Sequence, residues 1–184
     1  MKKVLILSGS LDNPSRTLIL CKAVQKELEK DFEVHLVDLS VQTLPYADSE
    51  YHHKPRQHPD KKTRDLVMAA HEADGIILAS PLYHNSYSGI LKNALDSLAI
   101  EQFYMKPVGL LSNGGGIRNV QALDHLRIVV RGLSGLTIPF QISTCKSDFE
   151  EVNEGFILVN EDIKRRVFNF SRQFKEVLSQ KSNS

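Results

Sequence analysis

Three short stretches hold the residue types that can do chemistry. The first is Ser8, Gly9, Ser10, Leu11, Asp12, Asn13, Pro14, Ser15, Arg16 and Thr17. It follows an apolar run and empties into a helical pattern. A helix start offers free N–H groups and the positive end of the helix dipole to an anion. Ser10, Ser15 and Thr17 can donate to phosphate oxygens, and Arg16 adds a charge-assisted hydrogen bond. A plain capped helix start, with Ser15 as the cap, fits the same residues. The stretch lacks the Lys-Ser or Lys-Thr of a nucleotide-binding P-loop and the three spaced glycines of a stable dinucleotide site.

The second stretch is Ser80, Pro81, Leu82, Tyr83, His84, Asn85, Ser86, Tyr87, Ser88 and Gly89, leading into a helical pattern that ends near Asp96. Pro81 sets the chain direction, and Leu82 to Asn85 can present amides to the edge of a flat polar ring. Tyr83 or His84 can flank such a ring; equally, Tyr83 can pack on the following helix and His84 can stand in solvent. Lys92 and Asp96 have the spacing of an ordinary helix-surface ion pair. The third stretch is Ser112, Asn113, Gly114, Gly115, Gly116, Ile117, Arg118 and Asn119. Its glycines permit positive φ and close approach of the backbone to a flat ligand. They also fit a flexible connection. Arg118 can reach a ring carbonyl or a neighbouring subunit.

The elements around these stretches alternate in type. Apolar runs at 4–7, 34–39, 75–79, 108–111 and 136–142 read as strands, and the first, continuous in Val, Leu and Ile, reads as buried on both faces. Between them lie helical stripes: Leu20, Val24 and Leu28 with Cys21; Leu66, Ala70 and Ala73; Ile90, Leu91, Ala94, Leu95 and Leu98; Leu123, Leu126, Val130 and Leu133. Residues 40–60 form a long excursion with Pro45, Pro55 and Pro59. Pro139 places the fifth strand at a sheet edge or at a bulge. Residues 156–159 read as a small hairpin arm. Asn160 caps a last helix whose apolar face is Ile163, Val167, Phe170, Phe174 and Val177. A polar tail at 180–184 is expected to fray.

Five strands and five helices in alternation predict an α/β flavodoxin-like doubly wound parallel sheet of order 2-1-3-4-5, with helices on both faces. One such domain accounts for residues 1–184. Ligands of these sheets sit at the carboxyl ends of the strands, where the strand order reverses. That rule alone places the site at the loops after strands one, three and four.

Composition narrows the function. With 23 Lys and Arg against 22 Asp and Glu, the net charge is +1, which points to neither a nucleic-acid nor a polyanion partner. No apolar run is long enough for a bilayer, and the apolar run after Met1 is too short for a signal peptide. Cys21 and Cys145 lack metal or redox spacing, so a cytoplasmic chain with reduced thiols is expected. His52, His53 and His58 lack metal-ligand spacing, and no metal is assigned. Lys54, Arg56 and Lys62 make the excursion loop basic, either as a solvated surface or as a contact for a nucleotide 2′-phosphate.

With the three loops on the page, the chain resembles the NADPH-dependent FMN reductases, within them the azobenzene reductase branch. The likeness is most specific from Ser80 to Asp96 and extends through Lys106, Pro107, Val108, Gly109 and Leu110 and through His125 to Leu133. The resemblance implies bound FMN and a transient NADPH, or NADH, co-substrate. It carries FMN phosphate contacts onto Ser10, Ser15, Arg16 and Thr17. It carries ring contacts onto Pro81, Leu82, Tyr83, His84, Asn85 and Ser86, and the remaining ring edge onto Ser112, Asn113, Gly114, Gly115 and Gly116. It also implies a homodimer or homotetramer whose subunits meet near the flavins.

Two positions depart from the pattern. Asp12 stands where many flavin reductases have Arg, and Thr17 where many have Asn, so charge compensation falls to Arg16 and the helix end. The expected reaction is ping-pong reduction of small-molecule electron acceptors, azo compounds or quinones, with the chemistry on the flavin and no catalytic acid or base assigned. Phe103 or Tyr104 of a second subunit is a candidate cap on the slot, and core packing is the competing role. The rival readings are an electron carrier of the flavodoxin type, which would be acidic, and a non-catalytic FMN-binding regulator.

Overall fold

The computed structural model describes residues 1–180. Five parallel strands, β1 (Lys3–Ser8), β2 (Glu33–Asp38), β3 (Gly75–Pro81), β4 (Pro107–Asn113) and β5 (Leu136–Thr144), form a sheet of order β2-β1-β3-β4-β5. This is the expected doubly wound order. Every residue of β3 is buried, as an inner strand covered on both faces requires. Six helices flank the sheet: α1 (Arg16–Leu28), α2 (Lys61–Glu72), α3 (Gly89–Asp96), α4 (Ile100–Phe103), α5 (Gln121–Gly132) and α6 (Glu161–Gln180). A two-stranded ribbon, β6 (Phe149–Val152) with β7 (Gly155–Leu158), stands between β5 and α6.

Alternation along each strand divides the core in two. Leu5, Leu7, Ile76, Leu78, Val108 and Leu110 face α2, α3, α4 and α5. Val4, Ile6, Ile77, Ala79 and Leu111 face α1 and α6. The helices bury the stripes their spacing announces: Leu20, Cys21, Val24 and Leu28 of α1, and Ile163, Val167, Phe170, Phe174 and Leu178 of α6, are all under a tenth exposed. The last deep residue of α6 is Leu178, while Val177 is only partly covered.

The helix starts are capped by short polar side chains. Ser15 Oγ accepts from the Leu18 amide at 3.1 Å, Asp60 from Thr63, Ser88 from Leu91, and Asn160 from Asp162 and Ile163. Bonds from the Thr63 backbone and hydroxyl hold the Asp60 carboxyl below its usual range.

Several expectations need correction. α4 breaks the strict alternation: one turn of four residues is too short for a periodic signal. Phe103, at its end, is fully buried in the core beside α2 and α5, so it cannot cap a slot. Tyr104 is exposed, just before β4 at the amino end of its own sheet. Pro139 meets both conditions set for it, since β5 is an edge strand and its register with β4 shifts between Val108 and Leu110. Of the tail expected to fray, Gln180 closes α6, and residues 181–184 lie outside the described residues. No described helix is long and apolar enough to cross a membrane.

Candidate functional site at the carboxyl rim

The parallel register brings the three loops to one rim. Ser8 of β1 stands beside Ala79 of β3, and Ser80 and Pro81 stand beside Ser112 and Asn113 of β4. The loops are then tied together. The Gly9 amide donates to Ala79 O at 2.8 Å, and the buried Ser88 hydroxyl donates back to Gly9 O at 2.5 Å. The Leu82 amide donates to Asn113 O at 2.9 Å.

The first loop ends in a cradle of open donors. Ser10 Oγ accepts from the Asp12 amide and Ser15 Oγ from the Leu18 amide, so each hydroxyl keeps its own proton to donate outward. The amides of Arg16 and Thr17, the first two of α1, have no partner among the described residues, as helix starts require before a cap or ligand arrives. The guanidinium carbon of Arg16 lies over the Phe156 ring of β7, 3.8 Å from its centroid, and Arg16 Nε is buried without a partner. The stack fixes the guanidinium at the start of α1. A cleft of about 390 Å³ opens there, lined by Arg16, Gly116, Lys146, Ser147, Phe149 and Glu151. Asp12 makes a long contact, 3.4 Å, with the Tyr83 hydroxyl. Partial burial and then the Asp12 carboxylate raise the Tyr83 phenol above its usual range, so it stays protonated at neutral pH.

The second loop is tighter than its residues suggested. Tyr83 and Ser86 exchange two backbone hydrogen bonds of 2.9 Å, with His84 at φ 47° and Asn85 at φ 62°. Two successive positive φ values mark the mirror-image turn that closes a hairpin in two residues. The Leu82 and Tyr83 amides are therefore spent inside the protein. The His84 and Asn85 amides, at the tip, lack a partner among the described residues and can meet a ring edge. Ser86 Oγ lies 2.9 Å from Nδ1 of His125 on α5.

The third loop is pinned from beneath. The Gly114 amide donates to Thr144 O, Gly115 O accepts from the Lys146 amide, and Asn113 Oδ1 accepts from Thr144 Oγ1. None of the three glycines has positive φ. Gly114 is needed for close approach instead: a Cβ there would lie 2.6 Å from Ile117 O. Arg118 does not face the slot. It forms a two-pronged pair with Asp148, which is fully buried and also accepts from the Cys145 amide and Asn160 Nδ2. That node joins the third loop, the ribbon and the cap of α6; its partners are 30 and 12 residues apart, so no local pattern announces it. In the excursion loop, Lys54 pairs with Glu50 and Arg56 with Glu101.

Open donors at the cradle fit a phosphate. Buried polar atoms without partners, Ser112 Oγ and Asn119 Oδ1, and the two tip amides fit a flat ring with donors and acceptors on its edge. No group of three His, Cys, Asp or Glu side chains suited to a metal occurs among the described residues.

Comparison with known proteins agrees with this geometry. The family model for NADPH-dependent FMN reductase matches residues 2–148. An FMN-dependent NADPH-azoreductase of Staphylococcus saprophyticus is 40% identical over 173 residues, covering 93% of this chain and 92% of the relative. The protein of that name in Staphylococcus aureus is 39% identical over 170 residues, 90% of each chain. Among solved structures, the flavoenzyme FerB of Paracoccus denitrificans superposes with a TM-score of 0.79 at 21% identity over 98% of both chains. A pneumococcal flavodoxin superposes at 0.62 and 12% identity, over 95% of this chain and 97% of its own. These two show the flavodoxin-like fold. Family match, extended identity and the rim of three loops together mean that the chain belongs to the NADPH-dependent FMN reductases.

Proposed function

We propose that the protein is an FMN-containing NAD(P)H oxidoreductase that reduces azo compounds, and quinones of similar shape, in ping-pong order. One observation carries the reading: an anion cradle at the start of α1 and two unpaired tip amides stand on the same rim, on neighbouring strands. Bound FMN would supply the redox chemistry, taking a hydride from NADPH and passing it to the acceptor.

The chain's own residues bind and orient. Ser10, Ser15, Thr17 and the Arg16 and Thr17 amides would hold the phosphate, with Arg16 balancing its charge. Pro81, Leu82 and Tyr83 would line the ring, and Ser86 the slot beside it. The His84 and Asn85 amides would donate to its edge, where hydrogen bonds tune a flavin's electronics. Ser112, Asn113, Gly114, Gly115 and Gly116 would meet the opposite edge. A shallow rim suits flat acceptors that replace nicotinamide in the same slot and are held by stacking and orientation. The same reading includes one domain over 1–184, a cytoplasmic location, and a homodimer or homotetramer meeting near the flavins.

Support comes from the named activity of the two staphylococcal relatives and from a near-neutral charge, unlike that of acidic electron carriers. The test is optical. Purified protein is expected to be yellow or to take up FMN, to bleach with NADPH, and to recolour on adding an azo dye or a quinone. A protein that bleaches only when a separate reductase is added is a carrier. One that binds FMN and never recolours is a non-catalytic binder.

A further inference from the structure

Reducing an azo bond takes a hydride at one nitrogen and a proton at the other, and the proton needs a source. Several ionisable groups near the rim are otherwise engaged. The Tyr83 hydroxyl directs its proton to Asp12 Oδ1, 3.4 Å away. Arg118 is bound to Asp148. Lys146 lines the cleft beside Arg16 at the start of α1. His125 is different: it projects from the second turn of α5, is exposed, and places Nδ1 2.9 Å from Ser86 Oγ. Ser86 closes the tight turn whose tip amides, His84 and Asn85, are unpartnered, so this hydrogen bond joins a solvent-exposed imidazole to the wall of the slot.

We propose that His125 and Ser86 form a proton relay to the acceptor, Ser86 as the group that touches it and His125 as the group that recharges Ser86. The proposal rests on the oxidoreductase reading above. A hydroxyl can accept from Nδ1–H while donating its own proton onward, and imidazole changes charge near neutral pH. The fold does not need the pair. α5 is held by the fully buried Ala122, Leu123, Leu126 and Val130, and an exposed hydrogen bond adds little to that.

The step balances as follows. Bound reduced flavin would supply the hydride, and with it both electrons, for the N–H bond at one azo nitrogen. The N=N π pair moves to the second nitrogen, which takes the Ser86 hydroxyl proton. Ser86 takes the Nδ1 proton of the His125 imidazolium. A hydrazo product and neutral imidazole remain, and solvent returns a proton to exposed His125.

The test uses FMN-loaded protein reduced by NADPH, then reoxidised in stopped flow by an azo dye or by ferricyanide, which takes electrons without a proton. In His125→Gln and Ser86→Ala, reoxidation by the dye is expected to fall roughly ten- to a hundredfold relative to reoxidation by ferricyanide in the same variant. The double variant should lose little more, because the two act as one unit. A second readout needs no turnover: the ¹⁵N resonance of His125 Nδ1 should move in Ser86→Ala. Equal losses with dye and ferricyanide, or an unmoved Nδ1 resonance, overturn the relay alone. Protein that NADPH does not bleach overturns the function and the relay together.

Discussion

A hydroxyl that accepts from a backbone amide still has a proton to give, and Ser10 and Ser15 are both in that state at the start of α1. Arg16 completes the cradle with charge. Arg16→Ala should raise the FMN Kd roughly ten- to a hundredfold, less at high salt, read by quenching of free FMN fluorescence. Gly114 tests the opposite wall. Gly114→Ala puts a methyl 2.6 Å from the Ile117 carbonyl and forces the loop to move. A cost of about 1–3 kcal/mol in FMN binding is expected, whereas Gly132→Ala, which meets open space at the end of α5, should leave the titration within error. Burial pushes the Cys21 thiol up to about 12 against the pull of the Ser8 hydroxyl. Roughly one molecule in ten thousand then carries the thiolate at pH 8. Folded protein treated with iodoacetamide at that pH should show Cys21 unmodified by mass spectrometry.

At the scale of elements, caps and clasps decide where loops point. Asp60 starts α2 through its carboxylate, and its pKa is lowered in the folded state. The sign follows: its contribution is present above the unfolded carboxylate pKa and is lost as pH falls through the lower folded value. Asp60→Ala should cost about 1 kcal/mol near neutral pH and less below about pH 4, measured by urea unfolding at both. The larger elements were legible because their periods are long and regular: α6 repeats buried residues over twenty positions, and β3 is apolar from Gly75 to Ala79. Features resting on long-range partners were not. The Arg118–Asp148 clasp and the Ser86–His125 contact join residues 30 and 39 apart, and nothing local marks them. The turn at 83–86 was legible only in part. Asn85 is a common residue at positive φ, but His84 is a less common one, and the pairing that spends the Leu82 and Tyr83 amides requires knowing both. Of the two properties read from the glycine triplet, positive φ is absent, and close approach holds at Gly114 toward the Ile117 carbonyl.

Across the whole molecule, the last helix locks the sheet. A Cβ on Gly109 would lie 2.4 Å from Phe170 Cζ, so α6 rests directly on the β4 backbone. Gly109→Ala should destabilise the protein by about 1–3 kcal/mol and lower Tm by several degrees. Its effect on FMN affinity at 25 °C should be small, since the strain lies in the core facing α1 and α6 rather than at the rim. Strand order alone predicts where a site should lie, because the reversal between β1 and β3 leaves a crevice whatever side chains line it. The complete burial of β3 has its own consequence. Its amides open to solvent only when the entire protein comes apart, while the tip amides of His84 and Asn85 already face water. Deuterium uptake should therefore rise within a few residues from the slowest class to the fastest, and substitutions at the fast end can alter the rim without disturbing the foundation beneath it.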